Sequence, residues 1–269
     1  MNTNLHTESA TNYDVATMSV NELLVAINNE DAHVHQAIAK CIDVITTVTE
    51  QCVKTLANKG RIVYIGAGTS GRLGVLDAAE CMPTFGIDNN TIIGIIAGGT
   101  KALNSAVENA EDDQEQAVID LQERNFTTND ILIGLSASGT TPYVLAALRH
   151  ARALGAHTVG ITNNNNSPML SVAHNTIACI VGAEFIAGST RMKAGTSQKL
   201  ILNMISTTCM IKLGRTKGNL MTHLMPMNIK LKKRAANIIS NELNVSIEEA
   251  EALLIQHKTI DAVLTNYTK

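Results

Sequence analysis

The 269-residue chain has no Trp and only three Phe and four Tyr. Proteins that bind single-stranded nucleic acid stack the bases on aromatic side chains. The formal net charge of −3 also gives no positive field that would attract a phosphate backbone. We therefore expect no nucleic-acid partner.

Cysteine is sparse and irregularly spaced, at positions 41, 52, 81, 179 and 209. The count is odd and no pair has C-x-x-C spacing, which indicates a reducing compartment and argues against a disulfide framework or a zinc knuckle. The eight His are scattered along the chain. We expect no metal site.

Long apolar runs are also missing. No stretch of 18 apolar residues exists, and the N-terminus is polar, without the apolar region of a secretory signal. We expect no membrane association, and we expect the protein to be cytoplasmic.

The remaining composition, 45% hydrophobic and 17% charged, is ordinary for a globular protein with a sizeable core. Apolar runs alternate with helical patterns, which predicts an α/β fold with a mostly parallel sheet covered by helices. The predicted strands are 61–65, 91–96, 130–135, 157–161 and 176–181. The predicted helices are 20–28, 31–58, 72–81, 101–123, 142–153 and an apolar helix at 198–213, with a helical tail from 228.

We divide the chain into an N-terminal helical segment 1–45, a central α/β domain 46–215 and a C-terminal helical region 216–269. Residues 1–17 are predicted to be irregular. Ser19 and Glu22 have the spacing of a capping box, and so do Ser246 and Glu249.

The most informative segment, Gly66-Ala67-Gly68-Thr69-Ser70-Gly71, follows the first predicted strand and opens a helix. Its glycines allow close backbone approach, and the helix start presents N–H groups and a positive dipole to an anion. The residues also fit the G-x-G-x-x-G dinucleotide fingerprint, but the next strand ends in Ala97-Gly98-Gly99, with no carboxylate for a ribose. This favours a phosphate site, with Gly68, Thr69, Ser70 and Gly71 as its candidate residues.

A second turn of this kind follows the third predicted strand. Its candidate phosphate-binding residues are Ser136, Ser138, Gly139, Thr140 and Thr141. In a parallel sheet both turns lie at carboxyl ends of strands, where open α/β sheets bind ligands. The alternative is that the hydroxyl groups only cap two helices, but their density in the second turn favours phosphate binding.

A third polar segment, 184–199, precedes the apolar helix. Ser189, Arg191 and Lys193 are candidates for binding a phosphate or a substrate carboxylate, and the alternative is a loop with surface cations. Glu80 lies near the end of the helix that the first turn opens, where the dipole disfavours an acid. Glu111 lies in an acidic stretch whose spacing predicts one shared helix face, and the pattern alone does not distinguish it from a solvated acid.

Taken together, several stretches resemble the N-acetylmuramic acid 6-phosphate etherase family of the sugar isomerase (SIS) fold group. They are GAGTSGRLGVLDAAECMPTFG at 66–86, AVENAED at 106–112, SASGTTPYV at 136–144, STRMKAGT at 189–196 and GNLM at 218–221. The resemblance extends from about Thr7 into the C-terminal tail. It implies a homodimer with a flavodoxin-like SIS domain at 46–215 and neither metal nor cofactor. It also implies cleavage of the lactyl ether of N-acetylmuramic acid 6-phosphate, a lyase step in cell-wall amino-sugar catabolism or recycling.

By this resemblance Glu80 falls on the catalytic acid of the family and Glu111 on its second catalytic carboxylate, while Ser70, Ser136 and Ser138 fall on phosphate-loop positions. The chain departs from the family pattern at Met82, where a proline is usual, at His223, where an Asp is usual, and in a shorter C-terminal region. Two other functions stay open: an amino-sugar-phosphate isomerase of the same fold, and a sugar-phosphate sensor without activity.

Overall fold

Five parallel strands form the centre of the protein, in the order β2-β1-β3-β4-β5, in a computed structural model that describes residues 14–267. The strands are β1 Ile62–Gly66, β2 Ile92–Ile96, β3 Ile131–Leu135, β4 His157–Thr162 and β5 Asn175–Ala178. Every residue of β1 and β3 is buried, as a parallel sheet with helices on both faces requires. The five predicted strands are confirmed, although β5 ends at Ala178 and not at 181.

The order of the strands changes direction at β1, which has β2 on one side and β3 on the other. Gly66 at the end of β1 is in register with Leu135 at the end of β3. Neighbouring strands lie about 4.8 Å apart, so the turns that follow these two residues lie side by side. This is the flavodoxin-like arrangement predicted above, and its switch point is where such sheets bind ligands.

Helices cover both faces of the sheet, with α2, α3, α4 and α8 on one face and α5, α6 and α7 on the other. The helices are α1 Val20–Asp31, α2 His33–Ala39, α3 Ile42–Ala57, α4 Gly68–Phe85, α5 Gln114–Glu123, α6 Pro142–Leu154, α7 Met169–Val172, α8 Lys193–Lys212, α9 Ile229–Leu243, α10 Ile247–His257 and α11 Ile260–Asn266. The capping box of Ser19 and Glu22 is present at α1. No helix in 14–267 is long and apolar enough to cross a membrane.

Two of the helix predictions were wrong. The predicted helix 31–58 is interrupted at Lys40 and Cys41, where the Cys41 N–H bonds to the Ile38 carbonyl in a tight turn. The predicted helix 101–123 contains two short 3₁₀ helices, Gly99–Leu103 and Ala110–Asp112, and becomes α-helical only at α5. Asn109 has a left-handed φ of 60°, which ends any regular helix there. The shared helix face predicted for Glu111 and its acidic neighbours therefore does not exist.

The C-terminal helices α9, α10 and α11 enclose a hydrophobic cluster of their own, which includes Leu224, Ile239 and Ile260. The segment before α9 packs against the end of α4, where the Met225 N–H donates to the Pro83 carbonyl at 3.1 Å. Residues 1–13, which hold most of the predicted irregular segment 1–17 and the start of the resemblance near Thr7, lie outside the described residues.

Candidate active site

The first phosphate-type turn joins β1 to α4 with almost no space between them. A Cβ atom on Gly71 would lie 2.6 Å from the Gly66 carbonyl oxygen, so only glycine lets α4 begin this close to the strand. In the described chain no side chain caps the start of α4, and the hydroxyl groups of Thr69 and Ser70 have no protein partner. Backbone N–H groups, two hydroxyl donors and the positive helix dipole are thus available to an anion.

The second turn, between β3 and α6, is a network of hydroxyl groups. Ser136 Oγ lies 2.8 Å from Thr141 Oγ1 and 3.1 Å from Ser138 Oγ, and it accepts the Gly139 N–H at 3.0 Å. Thr140 donates its hydroxyl to Ser138 Oγ at 2.8 Å. None of these hydroxyl groups caps α6, and no other described side chain does so, which removes the capping alternative for this turn.

Gly139 is the residue that lets the second turn fold tightly. Its φ is +66°, and a Cβ atom there would lie 2.2 Å from Ser167 Oγ. The turn is also held from the segment that follows β4, because Asn164 Nδ2 donates to the Ser138 carbonyl at 3.1 Å. The hydroxyl groups of this turn are therefore held in place before any ligand arrives.

The third segment meets both turns at the start of α8, which begins at Lys193 and not at 198. A Cβ atom on Gly195 would lie 3.4 Å from Thr69 Cγ2, in ordinary contact with the first turn. On the other side, Asn163 donates its side-chain amide to Ser197 Oγ at 2.7 Å and its N–H to the Ala137 carbonyl at 2.9 Å. The structure thus brings the three polar segments together.

The two candidate cations of the third segment, Lys193 and Arg191, differ in their surroundings. Lys193 is buried, and its ammonium group lies 2.5 Å from Glu30 Oε2 at the end of α1. Arg191 is exposed and has no ion-pair partner within the described residues. Of these two candidates, Arg191 is therefore the one that remains available to an anion, while Ser189 is half-buried.

Sequence reasoning gave no role to Glu184, which the structure places at the start of α8. Its buried carboxylate accepts the N–H groups of Lys193 and Ala194, both at 2.9 Å. A carboxylate at a helix N-terminus is stabilised by the dipole. No local pattern in the sequence indicates this cap, because Glu184 lies nine residues before the helix begins.

The two candidate catalytic carboxylates lie at different ends of the fold. Glu80 is exposed on α4, ten residues after Ser70, which is about 15 Å along the helix axis. Glu111 is exposed on the 3₁₀ helix Ala110–Asp112, and Ala110 packs into the cluster that includes α6. Arg72 in the first turn of α4 donates to the Leu103 carbonyl at 3.1 Å and so holds the segment that leads to Glu111. Within the chain, Glu80 therefore lies far from the turns that follow β1 and β3.

A buried carboxylate that the sequence reasoning missed lies one helical turn before Glu80. Asp77 Oδ1 accepts hydrogen bonds from Asn203 Nδ2 at 2.6 Å and Ser206 Oγ at 3.1 Å, and Oδ2 accepts one from the Tyr64 hydroxyl at 3.2 Å. Burial raises the pKa of Asp77, and these hydrogen bonds oppose the rise. Burial also raises the pKa of Tyr64 well above its ordinary value, so its hydroxyl stays a donor.

No group of His, Cys, Asp and Glu suited to a metal ion occurs among residues 14–267. All five cysteines are buried and unpaired. Burial raises the pKa of Cys81 to about 12, and the nearby charges of Asp77 and Glu80 raise it by smaller amounts. The thiol of Cys81 therefore stays protonated near neutral pH.

Solved structures share this fold. Phosphoheptose isomerase GmhA from Neisseria gonorrhoeae matches 71% of this chain and 98% of its own, with a TM-score of 0.55 and 16% identity. The Vibrio vulnificus NanR protein complexed with ManNAc-6P matches 72% of this chain and 64% of its own, with a TM-score of 0.52 and 18% identity. At these identities the similarity shows the fold alone.

Sequence comparison gives closer relatives. Residues 43–152 match the glucokinase regulatory protein N-terminal SIS domain and residues 113–207 match the SIS domain. The N-acetylmuramic acid 6-phosphate etherase of Christiangramia forsetii is 49% identical over 96% of this chain and 94% of its own length. The etherase of Bacteroides thetaiotaomicron is 48% identical over 95% of this chain and 92% of its own. The chain therefore belongs to the N-acetylmuramic acid 6-phosphate etherase family, built on a SIS domain.

Proposed function

We propose that this protein cleaves the D-lactyl ether of N-acetylmuramic acid 6-phosphate and releases N-acetylglucosamine 6-phosphate and D-lactate. The observation that carries the proposal is the pair of uncapped helix starts, α4 and α6, with hydroxyl-lined turns at adjacent strand ends. The chain that holds them is 49% identical to an etherase over nearly its whole length. The reaction is a carbon–oxygen lyase reaction of amino-sugar metabolism.

The phosphate of the substrate is bound, in this proposal, by the two turns and by Arg191. Ser70 and Thr69 donate from the first turn, and Ser136, Ser138 and Thr140 line the second. Two helix dipoles directed at one site add a fixed positive potential. Binding energy from the phosphate then holds the reacting end of the sugar in position.

The chemistry proceeds by elimination followed by addition of water. Opening of the sugar ring exposes a C1 aldehyde, which makes the proton on C2 acidic. Glu111 removes that proton as base, and Glu80 donates a proton to the lactate oxygen as the C3–O bond breaks. Water then adds to the double bond at C3, and C2 regains a proton. Two carboxylates with different protonation states suit such a cycle.

A second copy of the chain completes the site in this proposal. Because Glu80 lies about 15 Å along α4 from its own first turn, it serves the phosphate turns of the partner subunit. Helix α1 supports a homodimer: it has no buried residue, and Val20, Leu24 and Val25 are 74%, 62% and 51% exposed. Exposed apolar side chains in such number are typical of a protein interface. Leu24→Asp should give monomers in sedimentation velocity and should lose activity, whereas active monomers would reject the shared site.

The location we propose is the cytoplasm, since five buried, unpaired cysteines suit a reducing compartment. The substrate is a small sugar phosphate, and no metal or other cofactor takes part in the scheme.

Release of D-lactate from N-acetylmuramic acid 6-phosphate is the experiment that tests the function. An etherase releases lactate and the amino-sugar phosphate in equal amounts. An isomerase converts a sugar phosphate without lactate, and a sensor binds it without turnover. The match of residues 43–152 to a regulatory protein makes the sensor the alternative worth testing in the same assay.

Isotopes in the solvent test the mechanism. In water enriched in deuterium and oxygen-18, elimination and addition place deuterium on C2 and oxygen-18 on the C3 hydroxyl of the product. Direct attack of water on the lactyl carbon would leave the C3 oxygen unlabelled and would reject the elimination.

A further inference from the structure

Packing alone does not explain why a carboxylate, that of Asp77, is buried and accepts three hydrogen bonds. It is only 6% exposed, yet it carries an ionisable group between α4, β1 and α8. A buried carboxylate loses hydration, and an apolar side chain of similar size would fill this space without that cost. A carboxylate instead orients the helix that carries it, since its two oxygens accept three hydrogen bonds of fixed geometry.

The partners of Asp77 come from the two elements that also form the phosphate site. Tyr64 belongs to β1, whose end forms the first turn. Asn203 and Ser206 belong to α8, whose start forms the third segment. The middle of α4 is thus held at a defined rotation relative to β1 and α8, two of the elements that form the proposed phosphate site.

Glu80 follows Asp77 by three residues and points away from the core. Residues three apart lie on nearby parts of a helix surface, about 60° apart around the axis, so a rotation of α4 moves both together. Glu80 is exposed and has no hydrogen-bond partner among the described residues, so nothing else fixes its direction.

We infer that Asp77 is a positioning residue for the etherase reaction: its hydrogen bonds to Tyr64, Asn203 and Ser206 set the rotation of α4 and thereby aim Glu80 at the lactyl ether of the substrate that the partner subunit binds. The inference rests on the proposed function, because it assigns Glu80 to the reacting end of the substrate. Asp77 does not touch the substrate, so its removal should affect turnover more than phosphate binding.

The test compares Asp77→Asn with Asp130→Asn. Asp130 is also buried, at 4% exposure, and accepts hydrogen bonds from Arg61 and Thr127 at the amino end of β3. It lies outside the proposed site, so it controls for the loss of a buried carboxylate as such. Steady-state kinetics with N-acetylmuramic acid 6-phosphate, thermal melting and inhibition by N-acetylglucosamine 6-phosphate are measured for both variants.

For Asp77→Asn we expect kcat to fall about 10- to 100-fold, because misplacement of a reacting group by about 1 Å costs up to about 10²-fold. KM and the inhibition by N-acetylglucosamine 6-phosphate should change less than about threefold, since the phosphate turns are intact. Asp130→Asn should lower the melting temperature but leave kcat within about twofold. A kcat for Asp77→Asn within twofold of wild type, or equal losses in the two variants, would overturn the inference.

Two further measurements keep the inference testable in every case. If Asp77→Asn does not fold, Asn203→Ala removes one donor and keeps the carboxylate, and an unchanged kcat in that variant rejects the role. If the wild-type protein releases no lactate, the proposed function is rejected separately. Amide hydrogen exchange of residues 78–82 then decides the positioning role: exchange should be faster in Asp77→Asn than in Asp130→Asn, and equal rates would refute it.

Discussion

Replacing Gly71 with alanine puts a methyl group at the closest approach of β1 and α4. The new Cβ atom would lie 2.6 Å from the Gly66 carbonyl oxygen and 2.7 Å from Ile96 Cγ1. The carbonyl belongs to a central strand, so the start of α4 has to move by roughly 0.8 Å to restore an ordinary contact distance. Overpacking of this kind costs about 1–3 kcal/mol of stability.

The displaced helix start carries the N–H groups and hydroxyl donors of the first turn. We expect Gly71→Ala to lower kcat/KM about 10- to 100-fold, which corresponds to about 1.4–2.7 kcal/mol of transition-state binding. The loss should appear in KM and in a weaker inhibition by N-acetylglucosamine 6-phosphate, measured by a lactate assay and by isothermal titration calorimetry.

Gly214→Ala is the matched control. Gly214 follows α8 with a left-handed φ of +73°, and no atom lies within 4 Å of the added Cβ position. This variant should lose stability, of order 1 kcal/mol, through backbone strain alone. If Gly71→Ala bound N-acetylglucosamine 6-phosphate as tightly as Gly214→Ala, the first turn would not be a phosphate site.

Three more predictions follow from the contacts described above. Glu80→Gln and Glu111→Gln should each lower turnover about 10²- to 10⁴-fold in the lactate assay while calorimetry finds product binding retained, and near-normal turnover in either variant would reject its role. Lys193→Met should lower the melting temperature by roughly 5 °C, because Glu30 loses its ion-pair partner. Arg191→Ala should leave the melting temperature unchanged and raise KM. The reverse pattern would exchange the roles of the two cations. Burial raises the pKa of Asp130, but hydrogen bonds from Arg61 and Thr127 outweigh burial and hold the pKa below its ordinary value. The melting-temperature difference between wild type and Arg61→Met should therefore be full at pH 6 and shrink as the pH falls below about 4, and a difference independent of pH would contradict this linkage.

The strands could be predicted from the sequence because each is a short apolar run closed by glycines or polar residues. The run of β1, for example, stops at the glycine-rich turn. Its position also fixes where the turn goes, since the ends of parallel strands share one edge of the sheet. Local pattern was therefore sufficient for the sheet and for the placement of both turns.

Predictions failed where single residues override periodicity. Apolar residues at 102, 103, 107 and 110 look helical, but Asn109 adopts a left-handed conformation and Asp113 caps a new helix through the Gln116 N–H. Glycines at 68 and 71 made the start of α4 look like a loop, although Gly71 is what lets the helix begin against the strand. Helix propensity predicted too late a start for α4, because packing against the sheet outweighs the low propensity of glycine there.

The contacts that join the separate elements around the candidate site are long-range and left no local pattern. Lys193 and Glu30 are 163 residues apart, and Asp77 and Asn203 are 126 apart. From the sequence, Lys193 is simply a cation in a polar loop, and the ion pair becomes visible only when the fold brings the end of α1 to the start of α8. The roles of the candidate site residues stay predictions until the variants are assayed.

The hydrogen bond from Met225 to Pro83 has a consequence for shortened forms of the protein. The Pro83 carbonyl is one of the last four carbonyls of α4, which a helix leaves without partners of its own, and it accepts its hydrogen bond from the segment that leads into the C-terminal helices. A protein truncated before residue 216 would retain both candidate phosphate turns but lose the support at the far end of α4, three residues from Glu80. Under the proposed function, sugar-phosphate capture and ether cleavage would then be separable by proteolysis.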